Sequence, residues 1–222
     1  METVLHLTLR HRNLVALHSD LMGAHALGVR NLLVVMGDPP SAGDYPSATP
    51  VSDIKPSGMV KLIKAFNTGL DLNGKPIEQT TSFYIGCAFS PGAEDLGREV
   101  RVLRRKLEAG ADFIMTQPVY STDVLNRALR QLGGSPVPVL VGMLPPRSHG
   151  HAEFLHNEVP GIHIPDQLRE KLRQAGSNAE EVGLQICIET LDEVRDKVAG
   201  AYVIPPQGRY DIALRLVHAI AR

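Results

Sequence analysis

The chain has almost no net charge, few cysteines and no long apolar run, and each of these lacks closes off a class of function. Lys and Arg together number 23 against 24 Asp and Glu in 222 residues. A near-neutral chain has no electrostatic footprint for nucleic acid or an anionic membrane. The two cysteines, Cys87 and Cys187, stand in the apolar runs FYIGCAF and LQICIE. There is no CxxC and no Cys/His pair at zinc spacing, so they read as reduced core residues of a cytoplasmic protein, and no metal is expected. No apolar stretch approaches the ~18 residues that a membrane span needs. The opening METVLHLTLR lacks the apolar region of a signal peptide. Gly74 and the pair Gly133-Gly134 belong to neither a GxGxxG fingerprint nor a Walker loop. Repeats of solenoid type and low-complexity tails are also missing.

What is present is a core and an alternation. Hydrophobic residues make up 43% of the chain, enough to bury a sizeable interior in one domain or a large part of one. Short β-rich runs recur at Val4–Leu9, Asn31–Met36, Ser82–Phe89, Asp112–Gln117, Val137–Met143 and Ala201–Ile204. Several, such as NLLVVM and VPVLVGM, are apolar on both faces, as strands of a covered parallel sheet are. Amphipathic stretches lie between them. Asn13–Leu27 sets Leu14, Leu17, Leu21 and Ala24 at helical spacing, with Gly28 as its cap. Gly97–Ala109, Thr122–Leu132, Asp166–Gln174, Glu180–Ala199 and Tyr210–Ala221 also read as helices. Two insertions rich in Pro, Asp38–Pro56 and Leu144–Pro165, follow strands directly. In α/β folds the loops after strand ends form the active face. About six β/α units can be counted. A closed eight-unit barrel takes about 250 residues, so this chain is short by roughly two units, or about 60 residues. An open six-stranded doubly wound sheet fits the count with no deficit, and the count alone leaves both folds open.

Some polar residues fall where chemistry is usually done. Asp38 ends a buried run in VVMGDPP, behind Gly37, whose missing side chain lets a flat ligand approach the backbone. An Asp before Pro also serves simply to cap a turn. Gln117 ends the run FIMTQPVY, and its amide offers donor and acceptor together. His6 in an apolar strand has the plain alternative of a satisfied core residue. Arg105 and Lys106 stand in a helix charged enough to be an ordinary solvated face. His149, His151, His156 and His163 lack a clean HxxxH pair or a carboxylate at ligand spacing, and most read as surface residues.

The segments HLTLR, NLVALHSDLMGAHALGVRNLLVVMGDPP, AGADFIMTQPVY and VLVGMLP together resemble the reductase barrel of the methylenetetrahydrofolate reductase family. Within it, RHRNLVALHSDLMG and HAEFLHNEVPGIHIP are most similar to the reductase half of fused homocysteine S-methyltransferase/reductase proteins. The resemblance runs through essentially the whole chain, which it makes a single barrel domain, residues 1–222. It implies a TIM (β/α)8-type barrel in which HLTLR is the third strand, so that the first two strands are absent. It implies FAD as cofactor, NADH or NADPH as co-substrate, and reduction of 5,10-methylenetetrahydrofolate to 5-methyltetrahydrofolate. Partners implied are the folate, further copies of the chain in a homo-oligomer, and a fused or separate homocysteine methyltransferase domain.

The resemblance also assigns residues. It places Asp38 beside the flavin and the pterin as a catalytic carboxylate, and makes Gln117 a second catalytic residue with a contact to folate, to NAD(P)H or to both in turn. His6, Val35, Met36, Gly37 and Asp38 would line the flavin, with Val35 and Met36 contributing backbone. Met36 stands where some members carry Arg. Arg105, Lys106 and Ala111 would meet the adenosine and diphosphate. His151 and Arg209 would face the folate. The family's glutamate acid lies on the first strand, outside this chain, and general acid catalysis is typically worth about 10²–10⁴-fold. Two other readings therefore stand beside the reductase: a flavin- or folate-binding remnant without turnover, and an interaction subunit completed by a partner's strands, since open sheet edges invite pairing.

Overall fold

In the computed structural model, which describes residues 2–220, the apolar runs become strands and the amphipathic stretches become helices. In chain order they are β1 (Val4–Thr8), α1 (Leu14–Ala26), β2 (Asn31–Val35), α2 (Pro56–Asn67), β3 (Tyr84–Phe89), α3 (Leu96–Glu108), β4 (Phe113–Pro118), α4 (Thr122–Leu132), β5 (Val139–Met143), α5 (His149–Glu158), α6 (Asp166–Ala175), α7 (Ala179–Val194), β6 (Gly200–Val203) and α8 (Tyr210–Ile220). The strands form a six-stranded parallel sheet in the order β1-β2-β3-β4-β5-β6. Register sets His6 beside Leu33, Leu33 beside Gly86, and Leu140 beside Gly200. Each new strand is added beside the last, as in a run of barrel units. A doubly wound sheet would reverse direction at a switch point. Strand order thus decides between the two folds that the unit count leaves open.

The chain forms two compact units. The first takes the residues up to Ala88 together with Val102–Ile114. Helix α1 starts at Asn13, whose side chain accepts from the Ala16 N–H at 2.8 Å. It is capped at Leu27, and Gly28 (φ +85°), the expected cap, takes the left-handed position one residue further on. Its buried residues are Leu17, Leu21 and His25, while Leu14 and Ala24 are only half-buried. His25 packs edge-on against Phe83, and burial, helped by Arg30, lowers its pKa. Helix α2 is missing from the sequence expectation, which ends the Asp38–Pro56 insertion on the helix's first residue. Pro is in fact favoured in a first turn, and Met59, Val60, Leu62, Ile63 and Phe66 are all buried.

The AGAD motif holds the starting ends of these strands together. Asp112 accepts from Lys64 Nζ at 2.7 Å and from the Ile85 N–H at 2.9 Å, and its own N–H donates to the Ile85 carbonyl. Gly110 (φ +103°) lets the Lys64 stem pass, for a Cβ there would stand 3.0 Å from its Cγ and Cε.

The second unit takes Phe89–Arg101 and the residues from Met115 onward. Its core joins Leu125, Val141, Met143, Leu172, Cys187, Leu191, Val194 and Leu216. Helix α4 has the expected bounds, closed by Gly133 in the left-handed region. Helix α5 lies within the stretch expected to be an insertion. Helix α7 stops at Val194 rather than Ala199, and a 3-10 turn at Arg195–Lys197 leads into β6. The expected end of the last helix, Ala221, lies outside the described residues. Both cysteines are buried, as expected of core thiols.

Candidate functional site

In the first unit the candidate residues gather where β2 ends. The segment after β1 runs alongside: Leu9 N–H donates to the Val35 carbonyl at 3.2 Å, Arg10 N–H to Met36 at 2.9 Å, and Arg10 Nε to Gly37 at 3.0 Å. Gly37 takes φ +83°, and a Cβ on it would meet the Thr8 Cβ at 3.3 Å. The Gly37 backbone is thus packed on its Cβ side by Thr8 and Arg10 and held in place where Asp38, exposed, begins the following loop. His6 is exposed on β1 and shares a strand face with Thr8, two residues on. Thr8 is the residue that lies against Gly37, so the structure brings Val35, Met36, Gly37 and Asp38 to one end of the strands, while His6 lies mid-strand beside Leu33, two residues short of that end. It does not bring Ala111 there. Ala111 is buried just before β4, next to Asp112, at the opposite end. Arg105 is exposed, while Lys106 is 7% exposed and donates from Nζ to the Ala88 carbonyl at 2.7 Å. The Lys106 ammonium therefore ties α3 to the far end of β3.

In the second unit Gln117 is half-buried near the end of β4. The segment Pro160–Ile162 lies across it. A Cβ on Gly161 (φ +84°) would stand 3.0 Å from Ser90 Cβ and 3.6 Å from Gln117 Cγ. Gly92 makes the reciprocal approach, 2.9 Å from the Gly161 carbonyl by the same measure. Between these segments a cavity of about 810 Å³ opens, lined by Ser90, Glu94, Glu99, His156, Gly161 and His163 among others. Glu99 is fixed there by the Ser90 N–H at 3.1 Å. Sequence reasoning missed Ser90, Glu99 and Gly161. Only the bend-forming VPGIHIP run hinted at the last.

The loop after β5 is fastened from both sides. Tyr120 donates its hydroxyl to the Leu144 carbonyl at 2.6 Å, and burial raises its pKa well above the phenol value. From the other side α7 presents Gly183 to the Pro146 carbonyl, where a Cβ would stand 1.9 Å away. Ser148 then caps α5 by accepting from the His151 N–H. The His151 ring accepts at Nδ1 from the Arg147 N–H at 3.2 Å, so the neutral ring carries its proton on Nε2. Burial first, and Arg147 second, lower its pKa. His156 accepts at Nδ1 from the Ile164 N–H and is lowered by burial, then by Arg169 and His163. His149 reaches Glu153, four residues on, at 3.3 Å, so contrary to the sequence expectation one carboxylate does stand within reach of these histidines.

Arg209 follows β6 but is already engaged. It meets Glu180 at 2.6 and 2.9 Å and Asp211 at 2.7 and 2.9 Å, and these bonds raise its pKa. No helix among the described residues is long and apolar enough to cross a membrane.

A family model described as methylenetetrahydrofolate reductase matches residues 1–203. Among curated proteins the chain is similar to methylenetetrahydrofolate reductase 2 of Saccharomyces cerevisiae, 27% identical over 210 residues. It is also similar to methylenetetrahydrofolate reductase 2 of Schizosaccharomyces pombe, 25% identical over 218 residues. Each match covers 88% of this chain and 32% of the relative, so the chain spans about a third of their length. Among solved structures, an uncharacterised protein from Clostridium thermocellum that binds two copies of 5-methyl-5,6,7,8-tetrahydrofolic acid shares the fold. Its TM-score is 0.51 at 14% identity, over 98% of this chain and 93% of that one.

Proposed function

Because the chain belongs to the methylenetetrahydrofolate reductase family, we propose that it carries the folate-reducing barrel of such an enzyme and converts 5,10-methylenetetrahydrofolate to 5-methyltetrahydrofolate with NADH or NADPH as donor. The observation that carries this reading is the end of β2. There the family-matched chain fixes its backbone at Gly37 and follows it at once with an exposed carboxylate on Asp38.

A flavin fits the residues present at that end. A flavin's edge needs fixed main-chain polar groups, and the left-handed Gly37 (φ +83°) holds the turn that presents them. Val35, Met36 and Gly37 would hold it through backbone and His6 through its ring, whereas Lys106 is committed to Ala88. FAD, when bound, supplies the hydride chemistry, and the protein supplies placement and electrostatics.

The roles of this chain's own side chains follow from their chemistry. The Asp38 carboxylate accepts from the amidine-like N–H groups of a pterin, a charge-assisted pair stronger than a neutral one. As a fixed negative charge it also disfavours excess negative charge gathering nearby. The Gln117 amide reads a donor–acceptor edge, on the folate or on the nicotinamide carboxamide. His151, neutral, offers a fixed Nε2–H donor from the start of α5. The Arg209 guanidinium would have to leave Glu180 or Asp211 to take part.

Calorimetric titration of 5-methyltetrahydrofolate into the wild-type and Asp38→Asn proteins tests the reading. Losing one charge-assisted bond weakens binding about 10–100-fold, and the exposed position leaves folding untouched. Equal affinity in the two proteins would remove Asp38 from the site. One observation favours a second reading, an interaction subunit: α8 shows Tyr210 (73% exposed), Leu214 (56%) and Val217 (47%) to solvent at helical spacing.

A further inference from the structure

The loop after β2 is a strap of almost wholly exposed residues that leaves the sheet at Asp38 and returns at Val51. One residue, His11, ties both of its ends. The ring places Nε2 3.2 Å from the Asp38 carbonyl. A carbonyl only accepts, so Nε2 is the donor. The backbone N–H of His11 donates to the Val51 carbonyl at 3.0 Å. Two neighbours secure the returning end: Arg12 forms a bridge with Ser52, and the Leu14 N–H donates to Asp53 Oδ2 at 2.9 Å.

His11 holds this post at φ +70°, the one positive value outside glycine among the described residues. Side chains avoid that region, and a residue stays there only when its surroundings over-determine it. Here the surroundings are the two ends of the strap. His11 also lines a cavity of about 390 Å³ with Asp38, Pro40, Tyr45 and Ala48 of the strap. Arg10 already holds the Gly37 carbonyl, so the bond particular to His11 is the one on Asp38 itself.

We propose that His11 is a positioning residue: it closes the base of the strap, fixes the main chain of Asp38, and so aims the carboxylate that meets the folate. The inference rests on the reading of Asp38 given above. Neither composition nor spacing marks His11, because its role depends on partners 27 and 40 residues away in sequence.

Two variants separate the ring from the backbone. His11→Gly accepts the left-handed conformation and keeps the N–H to Val51, but loses the ring. His11→Gln restores an N–H donor of similar reach. Amide exchange of the strap, residues 39–51, is followed by mass spectrometry, with α2 as the internal control, and 5-methyltetrahydrofolate is titrated into each protein. His11→Gly is expected to speed strap exchange and weaken folate binding, each by about tenfold. Exchange in α2 stays unchanged, and His11→Gln recovers most of both effects. Unchanged strap exchange in His11→Gly overturns the proposal. So does faster exchange with unaltered affinity, which would leave His11 a structural tie alone. If the wild-type protein binds no folate, the functional reading fails, and strap exchange by itself decides whether His11 holds Asp38.

Discussion

The loop after β2 and the loop after β5 both follow buried strands, yet they are built in opposite ways. Residues 41–50 of the first are all exposed, and the bonds described between it and the rest of the chain lie at its base. Residues 144–146 of the second are buried, clamped between the Tyr120 hydroxyl and the flat face left by Gly183. A loop fastened by packing fails when volume is added, whereas one fastened at its ends fails when an end is released. The comparison therefore makes distinct forecasts for each.

The largest effect belongs to Gly183→Ala. The added methyl would stand 1.9 Å from a backbone oxygen, which cannot rotate away as a side chain can. Overpacking typically costs about 1–3 kcal/mol and occasionally more. This contact is with main chain, so the upper end or loss of folding is expected, read from urea denaturation. Acid comes next. His151 and His156 both have folded pKa values below 6.5, so their neutral forms are the ones the fold favours. The unfolded chain takes up protons before the folded one does, and stability present above about pH 6.5 is lost as pH falls through the lowered folded values. The melting temperature should drop over that window, and a double His151→Gln, His156→Gln variant should flatten the drop. Tyr120→Phe should cost about 1–2 kcal/mol, because it leaves the Leu144 carbonyl without its buried donor. Tyr45→Ser, at the tip of the other loop and 80% exposed, should change stability by less than about 0.5 kcal/mol. If it costs as much as Tyr120→Phe, the two loops do not differ as described.

The same contrast explains what the sequence discloses. Strands were legible because apolar runs such as NLLVVM have few alternatives, and α4 was legible because Ser121 and Gly133 flank it. Helix α2 was hidden by its Pro-Ser-Gly start, and α5 by a first turn of His-Gly-His. The positions of Asp38 and Gln117 at strand ends were legible because strand ends are local features. The engagement of Lys106 with Ala88, 18 residues away, and of Arg209 with Glu180, 29 residues away, could not, since nothing local announces a distant partner. His25, read as part of no stripe, turned inward because Phe83 and Ser82 receive it.

The most direct test of the proposed function is the visible absorption spectrum of this 222-residue chain after mixing with FAD and desalting. The account predicts a retained flavin band. A folded protein that emerges without flavin would contradict it.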